Sequence, residues 1–190
     1  MIEQIKEAVY QKLINHPKRY EHIIGVYETA TKLAHHYHID LEKVGIAALF
    51  HDYAKYDSIE EQIAHLELKI IKHYTETPVM YHAFAAAYWL ETIFHIKDHD
   101  ILNAIRYHVW GRKDMSMTEK IIFIADYCEP NRAFEDTTYI FNLAIQDIDL
   151  ACEYCMKLTY EDVIHKHKKP HEDQLIAYDY YKEVNRGKTK

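Results

Sequence analysis

The stretch Asp40-Leu-Glu-Lys-Val-Gly-Ile-Ala-Ala-Leu-Phe-His-Asp-Tyr-Ala-Lys55 decides the fold. Val44, Ala47 and Ala48 fall at i, i+3 and i+4, which lines up one apolar helix face, and His51 takes the i+7 place. Asp40 is a favoured N-cap residue, so a helix is expected from Leu41 to about Tyr56. The same pattern repeats outward along the chain. Toward the N-terminus, one helix spans about Arg19 to Tyr37, with Tyr20, Ile23, Ile24 and Tyr27 at helical spacing. Another spans about Glu3 to Asn15 and is stopped by His16-Pro17. Toward the C-terminus, Ser58 with Glu61 and Ser116 with Glu119 have capping-box spacing, and the second pair opens a helix Ile121 to Cys128 that Pro130 closes. Thr77-Pro78 reads as N-cap and N1 of a helix to about His95. Ile101 to His108 forms another, with Gly111 as its C′ residue. Two or three helices fill Thr137 to Val184, and Arg186 to Lys190 is expected to fray. No Asn-Gly or Asp-Gly hairpin and no alternating β-branched run occurs. The fold class is all-α.

A chain of 190 residues suits one domain. Its net charge of −7 speaks against a phosphate-backbone clamp, so no nucleic-acid partner is expected. The longest apolar run, Ala83 to Leu90, falls far short of the ~20 residues a membrane span needs. Met1-Ile-Glu-Gln-Ile5 has neither a basic nor an apolar leader segment, so no signal peptide is expected. Three cysteines, Cys128, Cys152 and Cys155, cannot pair completely, which fits a reducing cytoplasm. Histidine is the unusual residue, with 15 copies, and neutral imidazole is the commonest metal ligand.

Ionisable groups sit on the apolar stripes. His108 is i+7 from Ile101, in phase with Ala104 and Ile105. His82 precedes Ala85, Ala86 and Trp89 by three, four and seven residues, and Asp126 follows Ile122 and Phe123 by four and three. His22 lies beside Ile23 and Ile24 in phase with Val26, and Asp52 directly follows His51. Each unpaired buried polar group costs roughly 1–3 kcal/mol. A core histidine bonded to a carbonyl explains any one of them. A metal satisfies several at once, because imidazoles supply nitrogen and carboxylates supply charge.

The arrangement His22, His51-Asp52 and Asp126 on consecutive helices resembles that of the HD-domain metallophosphohydrolases. The surrounding text is more specific: Tyr20-Glu21-His22, Ala48-Leu-Phe-His-Asp-Tyr-Ala-Lys55, Ala104-Ile-Arg-Tyr-His108 with Gly111-Arg112, Lys120-Ile-Ile-Phe-Ile-Ala-Asp-Tyr127 and Glu129-Pro-Asn-Arg132. This set is similar to the YqeK subfamily, the bacterial symmetrical diadenosine tetraphosphate (Ap4A) hydrolases, over nearly the whole chain. The resemblance implies a single HD-type domain over residues 1–190, with a helical core at about 18–132 and C-terminal helices over 137–185 completing the nucleotide site. It implies two divalent metal ions in one cleft, iron foremost and manganese or zinc as alternatives. His22, His51, Asp52 and Asp126 match the shared ligands, His82 and His108 match the pair holding a second metal, and Asp52 bridges. Nucleotide contacts are implied at His22, Asp52, Tyr53, Ala54, Lys55, His82, His108, Val109, Arg132, Lys169, Pro170, His171, Glu172 and Asp173. The chain departs from the family pattern at Ala83, at Trp110 and in Lys168-Lys-Pro-His-Glu172.

The implied reaction is hydrolysis of a polyphosphate bridge, a dinucleoside polyphosphate giving ADP, with two metals activating water for in-line attack. Asp52 and Lys55 are the expected catalytic residues, Lys55 offsetting charge on the phosphate and Arg132 holding a second phosphate bidentately. Alternatives are another HD phosphohydrolase acting on guanosine tetra- or pentaphosphate or on nucleoside polyphosphates, a metal-dependent nucleotide sensor without turnover, and di-iron oxygenase chemistry. The intact ligand set disfavours a pure sensor, and the phosphate-directed cations Lys55 and Arg132 disfavour an oxygenase. Oligomeric state is open, a homodimer included. Cys152-Glu-Tyr-Cys155 has CxxC spacing but no second pair, and His35, His36, His38, His165 and His167 read as exposed helix-end residues.

Overall fold

The computed structural model describes residues 1–132 and 136–188. Its helices are α1 (Ile2–Lys12), α2 (Pro17–His36), α3 (Leu41–Phe50), α4 (Ile59–Ile63), α5 (Leu68–His73), α6 (Tyr81–Phe94), α7 (His99–Arg106), α8 (Met117–Cys128), α9 (Thr137–Gln146), α10 (Ile148–His165) and α11 (Glu172–Lys188), with a 3₁₀ turn at Pro78–Met80. No strand occurs among the described residues, so the all-α expectation holds.

Local sequence sets the starts of α3, α4, α7, α8 and α10 through side-chain caps. The Asp40 carboxylate accepts the Glu42 and Lys43 N–H groups at 2.9 and 3.2 Å, and Asp98 accepts that of Asp100. Both expected capping boxes are closed, Ser58 with Glu61 and Ser116 with Glu119.

Several ends differ from expectation. α3 stops at Phe50 instead of Tyr56, and the chain runs on in turns whose N–H groups bond three residues back, Tyr53 to Phe50, Lys55 to Asp52 and Asp57 to Ala54. In an unbroken helix His51 and Asp52 would diverge by about 100°. Here the turns bring His51 Nε2 to 3.5 Å from Asp52 Oδ2. Gly111 is not a C′ residue, because α7 ends at Arg106. With φ at 69°, Gly111 instead closes a turn onto the Tyr107 carbonyl, and a Cβ there would stand 2.6 Å from Met156 Cε. The Thr77 side chain caps nothing; Pro78 opens the 3₁₀ turn and α6 begins only at Tyr81. α5 has no counterpart in the sequence reading, and none of its residues is buried. Nor does the chain end fray through Lys188, whose ammonium binds Asp147 and Asp149 at 2.7–3.0 Å. Thr189 and Lys190 lie outside the described residues.

α8 packs against α2, α7, α9 and α10, so Ile121, Ile122, Phe123, Ile124 and Ala125 are buried all round. Each such large side chain contributes roughly 1.5–3 kcal/mol of burial. α2 packs on α3, and α7 on α3 and α6. This packing holds the polar residues at one place: His22 on α2, His51 and Asp52 after α3, His82 on α6, His108 after α7 and Asp126 on α8. No helix among the described residues is long and apolar enough to cross a membrane.

Candidate metal centre

Asp52, 2% exposed, is the hub of the buried polar cluster. Its Oδ2 lies 3.8 Å from His22 Nε2 and 3.5 Å from His51 Nε2, while its Oδ1 lies 3.0 Å from His82 Nε2 and 3.5 Å from His108 Nε2. Asp126 Oδ1 joins the first set at 3.0 Å from His22 Nε2 and 3.8 Å from His51 Nε2. Two donors that share one ion at ~2.0–2.2 Å bonds stand about 3–4 Å apart. Both sets, His22/His51/Asp52 and Asp52/His82/His108, are compact enough to hold an ion.

The imidazoles are oriented from behind. His51, His82 and His108 each donate Nδ1–H to the carbonyl three residues earlier, those of Ala48, Val79 and Ile105, at 2.6–2.8 Å. A carbonyl only accepts, so each Nδ1 carries the proton and each Nε2 lone pair faces the cleft. His22 lies inside a helix whose carbonyls are already bonded. Glu129 replaces them: its Oε1 is 3.1 Å from His22 Nδ1, and its Oε2 accepts the Asn131 N–H at 2.7 Å. Glu129 is 1% exposed, and Gly25 makes room for it, since a Cβ there would overlap Oε2.

Such a donor set calls for a cation. The Nε2 lone pairs of His82 and His108 face each other at 3.3 Å, and His51 Nε2 and Asp52 Oδ1 are buried with no hydrogen-bond partner. Burial pushes the pKa of His51 down to about 3 and that of His82 to about 4, so both are neutral ligands at pH 7. Burial also opposes charge on His22, but Asp126, Asp52 and Glu129 outweigh it and raise its pKa. Despite burial, Asp52 is held well below the usual carboxylate range by His51, His108, His82 and Lys55, and Asp126 by Arg132, His22 and His51. Two guanidiniums brace the carboxylates: Arg19 donates to Asp52 Oδ2 at 2.8 Å and Arg132 to Asp126 Oδ1 at 2.6 Å. Nitrogen and carboxylate donors, buried and under-satisfied, fit divalent ions.

The cluster floors a cleft of about 880 Å³. Lys55 Nζ reaches over it, 3.7 Å from Asp52 Oδ1 and 3.3 Å from His82 Nε2, and Val109 and Arg132 line the walls. Other expected contacts are placed elsewhere. The Tyr53 ring stacks on Phe50 at 4.2 Å and Ala54 is fully buried, because the turn that aims Asp52 and Lys55 at the cleft aims these two at the core. Lys169 and Glu172 are exposed and Pro170 is buried. His171 meets the cleft only through Trp110, ring against ring at 5.3 Å. Asp173 accepts from His73 Nε2 and the Tyr74 hydroxyl at 2.8 Å each, so the half-exposed cluster of His73, His171 and Asp173 is bonded within itself. Cys152 and Cys155 are buried free thiols whose pKa burial raises. Sequence reasoning missed Arg19, Lys18, Tyr56 and Glu129, all on the cleft. Arg19 carried a signal, one helical turn before His22. Glu129 stood in a quoted motif without a role.

The HD domain family model matches residues 19–131, which include all six candidate ligands. A symmetrical bis(5′-nucleosyl)-tetraphosphatase of Bacillus subtilis (strain 168) is 38% identical over 180 residues, 94% of this chain and 96% of that protein. The chain belongs to this HD-domain family. A protein of the same description from Staphylococcus aureus (strain NCTC 8325 / PS 47) is 38% identical over 148 residues, 75% of this chain and 74% of that one. A Clostridium acetobutylicum crystal structure, described as a "predicted HD superfamily hydrolase involved in NAD metabolism", superposes with a TM-score of 0.88 at 34% identity and covers 98% of both chains.

Proposed function

We propose that this chain is a metal-dependent hydrolase that cuts diadenosine tetraphosphate symmetrically into two ADP. The observation that carries the reading is the division of the Asp52 carboxylate between two histidine pairs, His22 with His51 and His82 with His108. Relatives matched over most of the chain favour this substrate over guanosine polyphosphates. His22, His51 and Asp126 would hold one ion, His82 and His108 the other, and Asp52 both. Divalent ions, iron foremost, would supply Lewis acidity, bringing the pKa of water from 15.7 toward ~7 and drawing charge from phosphoryl oxygens.

The chain's own residues do the rest. Neutral His51 and His82 present lone pairs without first losing a proton. Lys55 is not a ligand; its ammonium stands beside Asp52, where it offsets charge growing on the phosphate. Arg132 offers a planar fork to a second phosphate from the Asp126 side. The core at about 18–132 carries the centre, and the C-terminal helices over 137–185 complete the nucleotide wall through His171 behind Trp110. Free thiols agree with a cytoplasmic setting.

The test is a product assay on Ap4A with iron, manganese or zinc returned to chelator-stripped protein. ADP as the sole product is expected. Equimolar AMP and ATP would reject the assignment.

A further inference from the structure

Resting on that reading, we infer that the cleft holds a second nucleoside site, a purine-stacking platform on Tyr56 backed by Lys18 and Arg19. A substrate with identical ends, cut at its midpoint, presents two equal halves to one centre. Of the nucleotide contacts considered above, Val109, Arg132 and the segment around His171 come from the turns after α7 and α8 and the segment leading into α11. They serve one half. On the wall built by the start of α2 and the turn after α3, Arg19 and Lys55 already attend Asp52. Lys18 and Tyr56 line the cleft there with no assigned role, and together these residues carry the chemistry the other half needs.

Tyr56 lines the cleft and is 51% exposed. Its ring is held by a parallel stack on His16, with centroids 3.8 Å apart and planes at 4°, so little ordering of the tyrosine remains when a base stacks beside it. Lys18 and Arg19 line the same cleft one to two residues beyond the helix start. Arg19 bonds Asp52 through Nη1, lies 6.0 Å from the Tyr56 ring centre, and keeps Nε buried with no hydrogen-bond partner. One side chain therefore links the metal-side carboxylate to the aromatic platform. An aromatic face followed by two cations and then the metal centre fits base, then diphosphate, then the bond to be cut. The ligand class is a purine nucleoside 5′-diphosphate.

The test counts ADP bound per chain by equilibrium dialysis on metal-loaded protein, alongside the KM for Ap4A. Wild type should bind two ADP, Tyr56→Ala one, and Tyr56→Phe two. Tyr56→Ala should raise the KM for Ap4A about ten-fold with kcat little changed, the scale of one lost base stack. One ADP or none in wild type, or two in Tyr56→Ala, overturns the second site. So does an equal fall in kcat with KM unchanged, which would mark Tyr56 as structural. Failure to form ADP from Ap4A while two ADP still bind would instead reject the proposed reaction and leave the site standing.

Discussion

Asp52 divides its oxygens between two histidine pairs, so no neighbour can take over its part. Asp52→Ala should strip metal from both sets and abolish turnover, read by metal analysis beside kinetics. Lys55 touches the same carboxylate at 3.7 Å but has no ligand role. Lys55→Ala should keep full metal content and lower kcat by roughly 10²–10³, the loss typical of one electrostatic donor at a transition state. Metal loss in that variant would contradict the assignment. Behind the ligands, Glu129 does for His22 what carbonyls do for the other three histidines. Gly25 lacks the Cβ that would displace it. Gly25→Ala should therefore weaken metal retention by roughly 10–100-fold, as outer-shell changes commonly do. Glu129→Ala should do the same, and the double variant should be no worse than either single one. Chelator competition measures all three, and additive losses would show that Gly25 acts through another contact.

Among the helices, the starts capped by Asp40, Ser58 and Ser116 were legible, as were the ends of α2, α6 and α8 to within a residue. The start of α6 and the ends of α3 and α7 were not. Asp40, Ser58 and Ser116 announce caps because a short polar side chain bonding the next turn is local chemistry. Asp40→Ala should cost about 1 kcal/mol in urea denaturation without changing metal content. The end of α3 is set from outside the helix: apolar residues continue past Phe50, but Asp52 must turn toward histidines supplied by α2, α6 and the α7 turn. That tertiary demand leaves no mark in periodicity, so Leu41 to Tyr56 read as one helix. α5 spans only the six residues Leu68–His73, and its apolar residues Ile70 and Ile71 are only partly buried, so its periodicity is short and weak. The ligands were legible for the opposite reason, each being a charged or titratable residue on an apolar face. The cleft walls were not. Tyr56 is one of 17 tyrosines, and its partner His16 read only as the end of a helix. Glu129 reaches His22 across 107 residues, a contact that no window along the chain contains.

At the scale of the whole molecule, the helices hold titratable groups in a buried centre, and that couples stability to pH. In the unfolded chain a histidine takes up its proton near pH ~6.5. Folded, His51 and His82 resist protonation down to about 3 and 4, because burial disfavours their charged forms. Between pH ~6.5 and ~4 the unfolded chain therefore binds more protons at these two sites, and stability falls as pH falls. His22 has the opposite sign. Its folded pKa is raised, so its contribution is present below pH ~6.5 and is lost as pH rises through the folded value. Asp52 and Asp126 stay ionised throughout this window, since both are held well below the usual carboxylate range. Two groups that weaken the fold on acidification stand against one that strengthens it. Chelator-treated protein should thus show a lower urea midpoint at pH 5 than at pH 7. The metal-loaded protein should lose more over the same interval, because protons then also compete with the ions for imidazole nitrogen. Equal midpoints for the chelated protein, or a higher one at pH 5, would mean that the charge on His22 dominates the centre and that His51 and His82 are not the neutral ligands described above.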